Sequence, residues 1–140
     1  MKKRILIGED DPSIRKITKV RLEHEGYEVV DAGDGEAVLE QAAGAVPIHL
    51  LLLDIQLPKR NGYAVCRILR RQRATAHTPI IIFSATEFHQ QRLAERCIEV
   101  GATDWIRKPF RTKELMARIH QALGEPEEGT DGQDAKRLSK

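Results

Sequence analysis

Aromatic residues are scarce in this chain: three Phe, two Tyr and one Trp in 140 residues. That leaves no interleaved stacking platform for nucleic-acid bases. Cysteine is equally sparse. Cys66 and Cys97 lie far apart, with no CxxC and no His at metal-ligand spacing. This argues against a zinc site or a disulfide framework and for two free thiols in a reducing compartment. Long apolar runs are also missing. After Met1-Lys2-Lys3-Arg4 only Ile5-Leu6-Ile7 precede the first acids, far short of a signal peptide or a membrane span. The expectation is a cytoplasmic protein without membrane contact. Nor is there a charge excess: 23 basic against 21 acidic residues give a net charge of +2, no general field for nucleic acid. No internal repeat stands out, and the length is that of one domain able to bury its own core.

What the chain does have is alternation. Short apolar runs alternate with helical patterns five times, the signature of βαβ units and a parallel sheet in an α/β protein. The predicted strands are residues 4–8, 27–31, 48–53, 79–83 and 104–106. The first predicted helix, residues 12–25, opens on Pro12, carries Ile14, Ile17 and Leu22 inward and stops at Gly26. Asp34 caps the second, which runs through Val38 and Leu39 to Gly44. Residues 62–73 present Val65, Ile68 and Leu69, and residues 88–100 end at Gly101, a natural left-handed terminator. Thr112 is the predicted cap of the last helix, whose Leu115, Ile119 and Leu123 follow a 3-to-4 spacing. After Leu123 the composition changes. Residues 124–132 contain no apolar residue, so the domain is expected to span residues 1–123, with 124–140 a flexible tail or linker and no effector domain within it.

Asp54 closes the run Ile48-His49-Leu50-Leu51-Leu52-Leu53. A carboxylate after a run that reads as a doubly buried strand sits at the carboxyl end of that strand, where open α/β sheets place their chemistry. Loops after the first, third, fourth and fifth strands open on the same edge and bring Glu9-Asp10-Asp11, Asp54, Ser84 and Lys108 together. Carboxylates gathered there repel by about 4 kcal/mol per pair at an effective dielectric of about 20, and such a cluster recruits a cation. Carboxylates, a backbone carbonyl and water suit a hard octahedral ion, Mg2+ or Mn2+. Carboxylate nucleophile, divalent metal, lysine and hydroxyl are the parts that phosphoryl transfer to an aspartate needs.

Four motifs carry a resemblance over residues 3–123. They are Ile5-Leu6-Ile7-Gly8-Glu9-Asp10-Asp11-Pro12, Leu51-Leu52-Leu53-Asp54-Ile55-Gln56-Leu57-Pro58 with Gly62, Ile81-Ile82-Phe83-Ser84-Ala85, and Gly101-Ala102-Thr103-Asp104-Trp105-Ile106-Arg107-Lys108-Pro109-Phe110. Together they resemble the response-regulator receiver domain of two-component signalling, single-domain chemotaxis regulators included. The resemblance implies a flavodoxin-like, doubly wound five-stranded parallel sheet, (βα)5, in strand order 2-1-3-4-5. It implies that Asp54 accepts a phosphoryl group from a histidine kinase or histidine phosphotransfer protein, and that the domain catalyses its own phosphorylation and dephosphorylation. Mg2+ would be held by Asp10 directly, by Glu9 through water, by Asp54 and by the main-chain carbonyl of Gln56. Ser84 would bond the phosphoryl oxygen and Lys108 would pair with Asp54, with a cis bond from Lys108 to Pro109. Ser84 and Trp105 would be the switch, read out on a surface made by the fourth helix, fifth strand and fifth helix. A downstream protein target or effector domain, no direct nucleic-acid binding by this domain, and a monomer or phosphorylation-linked dimer complete the expectation.

The sequence departs from the family in places. Trp105 stands where tyrosine or phenylalanine is usual, and the span from Ser84 to Trp105 is about two residues longer, which places a difference around residues 86–90. Gln56 and Thr86 flank the phosphoryl position and carry no charge. Asp11 reads equally as a helix N-terminal acid. Arg67, Arg70, Arg71 and Arg73 read as a solvated face, His49 as an edge or satisfied core residue, and Met116 as packing. Two other functions compete. One is a phosphorylation-independent interaction module on the same fold. The other, a haloacid-dehalogenase-type phosphatase, needs a second acid two residues after the nucleophile, where Gln56 stands.

Overall fold

The computed structural model describes residues 2–85 and 90–125. Its five strands are β1 (Arg4–Gly8), β2 (Glu28–Ala32), β3 (Leu50–Asp54), β4 (Ile80–Ser84) and β5 (Asp104–Arg107), all parallel, in the order β2-β1-β3-β4-β5. The helices between and after them are α1 (Pro12–His24), α2 (Gly35–Ala42), α3 (Gly62–Arg70), α4 (Gln90–Val100) and α5 (Thr112–Leu123), with a single 3-10 turn at Arg73–Thr75. This is the flavodoxin-like topology that the motifs imply.

Every residue of β3 and β4 is buried, because each strand is covered on both faces. Alternation along the strands sorts the aliphatic side chains into two cores. Leu6, Leu51, Leu53, Ile80 and Ile82 pack under α2, α3 and α4, together with Val38, Val65, Leu69, Leu93 and Val100. Ile5, Ile7, Leu50, Leu52 and Ile81 face the other way, toward Leu22 of α1 and Leu115, Met116 and Ile119 of α5. Both cysteines belong to the first core and are free thiols. Burial pushes the Cys66 thiol up to about 11 and the Cys97 thiol up to about 12.

The strands run one residue later than the periodicity predicts at four of their five carboxyl ends, so Asp54 and Ser84 are the last residues of β3 and β4. Three expectations fail, for the inward face of α1, for Thr112 and for Arg70. Ile14 and Ile17 are 41% and 52% exposed, and only Leu22 of α1 is buried. The cap explains this: Asp11 accepts from the Ser13 and Ile14 amides, and that start turns Arg15, Thr18 and Leu22 toward the sheet. Thr112 is not a cap either. Arg111 occupies the cap position without a side-chain bond, while the Thr112 hydroxyl accepts from Arg21 Nη1 at 2.6 Å. Asp34 does cap α2, through the Ala37 amide, and Gly101 has φ +82° as the α4 terminator. His49 is a satisfied residue, its Nδ1 accepting from the Arg4 amide at 2.9 Å. Arg70 is no solvated residue. It donates to the carbonyls of Thr75, Thr78 and Gly101.

Of the expected tail, Glu125 is tied back: it accepts from the Tyr27 hydroxyl at 2.8 Å and lies 3.1 Å from Lys3 Nζ. The predicted start of the fourth helix at Phe88, the longer stretch around Thr86, and residues 126–140 lie outside the described residues. No described helix is long and apolar enough to cross a membrane.

Candidate functional site

The carboxyl ends of β1, β3, β4 and β5 meet at one edge. Parallel register sets Asp54 beside Phe83 and Ser84 beside Arg107, while the Glu9 amide extends the ladder by donating to Ala32 O at 3.1 Å. The Lys108 amide donates to Ser84 O at 2.8 Å, which pins the lysine backbone to the end of β4, and its bond to Pro109 is cis. From that anchor the Lys108 ammonium reaches both acids. It lies 2.8 Å from Glu9 Oε1 and 2.9 Å from Asp54 Oδ2, above the Phe83 ring at 4.8 Å from its centroid.

The two carboxylates are almost dry, with side chains 4% and 9% exposed. Each retains a backbone donor. Glu9 Oε2 accepts from the Asp11 amide at 3.1 Å, and Asp54 Oδ1 from the Gln56 amide at 2.9 Å. Burial alone lowers the affinity of Lys108 for its proton, but its bonds to Glu9 and Asp54 outweigh that, and its pKa is raised above the usual 10.5. Lys108 is therefore a cation at every physiological pH.

The loop after β3 is shaped to keep Asp54 in place. Gly62, the first residue of α3, lies so close that a β-carbon there would come within 2.5 Å of Asp54 O. Lys59 takes a positive φ of 68°, an expensive geometry for a side-chain-bearing residue. Ion pairs from Lys59 to Asp34 and from Arg60 to Glu36 tie this loop to the start of α2.

Glu9, Asp54, Ser84 and Lys108 are thus brought together as the strand ends predict, with Ser84 1% exposed. Asp10 is exposed at the mouth of the site. Asp11, read two ways from sequence, caps α1. Trp105 is half-buried against the core beneath α4, with its carbonyl near Arg118 Nη1, which also bonds Asp104 at 2.7 Å. Sequence reasoning missed the second bond of Lys108, to Glu9. It also missed Arg15, which stands four residues after Asp11 on the same face of α1 and donates to Glu9 O at 2.8 Å.

The donor set fits a divalent cation. Glu9, Asp10 and Asp54 against Lys108 leave a formal surplus of two negative charges, and among the described residues no amide donates to the Gln56 carbonyl. No three described His, Cys, Asp or Glu side chains form a cage by themselves. A site with two direct carboxylates, one carbonyl and water does not require such a cage, and those are ligands that Mg2+ accepts.

Beside the site, a cleft of about 450 Å³ opens between α1 and the loop after β5. Ile14, Ile17, Arg21, Pro109 and Phe110 line it, and so does Lys108.

Comparison with known proteins gives the family to which this fold belongs. The family model described as the response regulator receiver domain matches residues 5–120. A probable transcriptional regulator ycf27 of Cyanophora paradoxa is 42% identical over 129 residues, which are 92% of this chain and 52% of that protein. The DNA-binding dual master transcriptional regulator RpaA of a Synechocystis strain is 38% identical, over 86% of this chain and 48% of its own. The chain thus spans about half the length of the curated relatives it matches. Among solved structures, the chemotaxis response regulator CheY4 of Vibrio cholerae superposes with a TM-score of 0.81 at 27% identity, covering 88% of this chain and all of that one. The receiver domain of the sensor histidine kinase PA1611 from Pseudomonas aeruginosa, with a magnesium ion coordinated in its active-site cleft, gives a TM-score of 0.80 at 29% identity over 89% of this chain and 100% of its own.

Proposed function

Because this chain belongs to the response regulator receiver family of two-component signalling, we propose that Asp54 is its phosphoacceptor. The observation that carries the reading is Lys108 Nζ, held within 2.9 Å of two nearly dry carboxylates, one of them Asp54. In the transfer, a carboxylate oxygen of Asp54 attacks the phosphorus of a phosphohistidine. The P–N bond breaks, an acyl phosphate forms, and the donor imidazole leaves and takes up a proton. Lys108 moves its contact from the carboxylate to a phosphoryl oxygen, and the Ser84 hydroxyl donates to another. Asp10, Asp54 and the Gln56 carbonyl, with Glu9 through water, would hold Mg2+, which supplies neutralisation of the charge gathered on the transferring group. The new group adds as much as about two negative charges at neutral pH.

The cleft beside Lys108 supports a macromolecular donor. Its exposed Ile14 and Ile17 and the ring of Phe110 offer apolar contact to a histidine kinase or histidine phosphotransfer protein whose phosphohistidine must reach Asp54. Downstream, Ser84 and Trp105 shift a protein-binding surface made by α4, β5 and α5, as a monomer or a phosphorylation-linked dimer in the cytoplasm. The transcriptional role printed for the relatives would reach this chain only through an effector domain, since nothing in its charge favours direct nucleic-acid binding.

The test is adduct formation. With Mg2+ and either a small phosphodonor or beryllofluoride, intact mass gains one adduct, and the emission of Trp105, the sole tryptophan, changes. An adduct that survives Asp54→Asn, or none at all with Mg2+ present, refutes the assignment. A spectrum that stays constant while the adduct forms removes Trp105 from the switch and leaves Asp54 standing.

A further inference from the structure

Three consecutive acids follow β1, and each has a different neighbourhood. Glu9 bonds Lys108, Asp11 caps α1, and Asp10 stays exposed beside the proposed cation position. Repulsion among adjacent carboxylates would by itself splay this loop. What opposes it is one guanidinium beneath the loop. Arg15 Nη1 bonds Glu9 O at 2.8 Å and reaches Asp10 O at 3.4 Å, while Nε bonds Asp31 Oδ2 on β2 at 3.0 Å. The side chain is only 24% exposed and passes over Gly33, where a β-carbon would come within 3.0 Å of Nη1. Asp31 in turn holds Lys19 Nζ at 3.7 Å. The Glu9 amide already donates to Ala32 O, so both faces of the peptides leading to Asp10 are fixed to β2, directly or through Arg15.

We infer that Arg15 is a positioning residue for the cation site: by holding the Glu9 and Asp10 carbonyls against β2 it aims the Asp10 carboxylate at the metal beside Asp54. This rests on the metal-assisted phosphoacceptor reading. It makes a prediction opposite in sign to simple electrostatics. A positive guanidinium near a cation site weakens cation binding through its field, so deleting it would tighten Mg2+ if charge alone mattered. Positioning demands the reverse.

The experiment is calorimetric titration of the full 140-residue chain with Mg2+, with Mn2+ quenching of tryptophan emission as a second readout. Arg15→Met is expected to raise the Mg2+ Kd about tenfold, the low end for outer-shell partners of metal ligands. Arg15→Lys reaches one carbonyl but cannot span to Asp31 as well, and falls between the two. Asp31→Asn, which leaves the arginine but removes its charged anchor, raises Kd about threefold, less than the range for a lost outer-shell partner, with the urea midpoint near wild type. If Arg15→Met fails to fold, Arg15→Lys decides, because it keeps the charge, whereas charge alone also predicts weaker Mg2+ binding for Asp31→Asn. Unchanged or tighter Mg2+ binding in the folded variants overturns the inference while a wild-type adduct at Asp54 keeps the functional reading. A wild-type chain that binds no divalent cation overturns both.

Discussion

At the lower rim of the sheet, where strands begin, Arg70 donates to three carbonyls and reaches the Thr103 hydroxyl, while Glu125 accepts from Tyr27 and pairs with Lys3. At the upper rim, where strands end, Lys108 is shared between Glu9 and Asp54, and Asp10 adds a further acid. Both rims use long cationic side chains to gather loops. The difference is in the balance. Lower-rim cations meet neutral acceptors or single acids and close the structure, whereas upper-rim acids outnumber the lysine between them. Surplus charge of one sign, more than burial, sets this end of the sheet apart as the candidate cation site.

Substitutions can break that contrast. Lys108→Met has the largest expected effect, about 3 kcal/mol in urea unfolding without divalent cation, because it leaves two buried carboxylates facing each other. Mg2+ should restore part of the loss, and a deficit indifferent to Mg2+ would show that the upper rim has no cation site. The linkage is alkaline. Since the folded pKa of Lys108 is raised, its contribution is complete below about 10.5 and fades as pH climbs through the folded value, a slope that Lys108→Met should lack.

Arg70→Met comes next, at about 2 kcal/mol for the lost bonds. In contrast to Lys108→Met, its cost should be the same with and without Mg2+, by the same unfolding curves. Gly62→Ala, whose new methyl meets Asp54 O, is expected to cost about 1–2 kcal/mol and to weaken Mg2+ binding, because the strain falls on the backbone of Asp54 itself. Wild-type Mg2+ affinity in that variant would mean that the loop yields elsewhere. Glu125→Gln is the smallest, below about 1 kcal/mol for a half-buried ion pair at the surface. Despite its burial, bonds from Tyr27 and Lys3 hold the Glu125 carboxyl below its usual 4.5. Its contribution is therefore present above that value and lost as pH falls through the lower folded value. Acid titration of the variant should be correspondingly flatter.

Much of the upper rim was legible in sequence because acids at the ends of apolar runs break a simple pattern, and the parallel topology collects them. Glu9, Asp54, Ser84 and Lys108 needed only that reasoning. Less was legible in α1. Ile14, Ile17 and Leu22 read as one inward stripe, yet Asp11 and Pro12 set the helix rotation so that Arg15 and Thr18 face the sheet and the isoleucines face outward. Arg15 was missed for a related reason: its partners are carbonyls, and main-chain acceptors leave no trace in residue type. Arg70 escaped likewise, hidden among arginines that are solvated. Nor does any side chain announce the left-handed backbone at Lys59.

The two thiols have a practical use. With Cys66 and Cys97 fully enclosed and their pKa values near 11 and 12, neither should react with maleimide at neutral pH while the chain is folded. Ile98, on the outer side of α4, is 68% exposed. An Ile98→Cys variant would then carry one addressable sulfur, and a fluorophore or spin label attached there could follow α4 during the reaction without first removing the native cysteines.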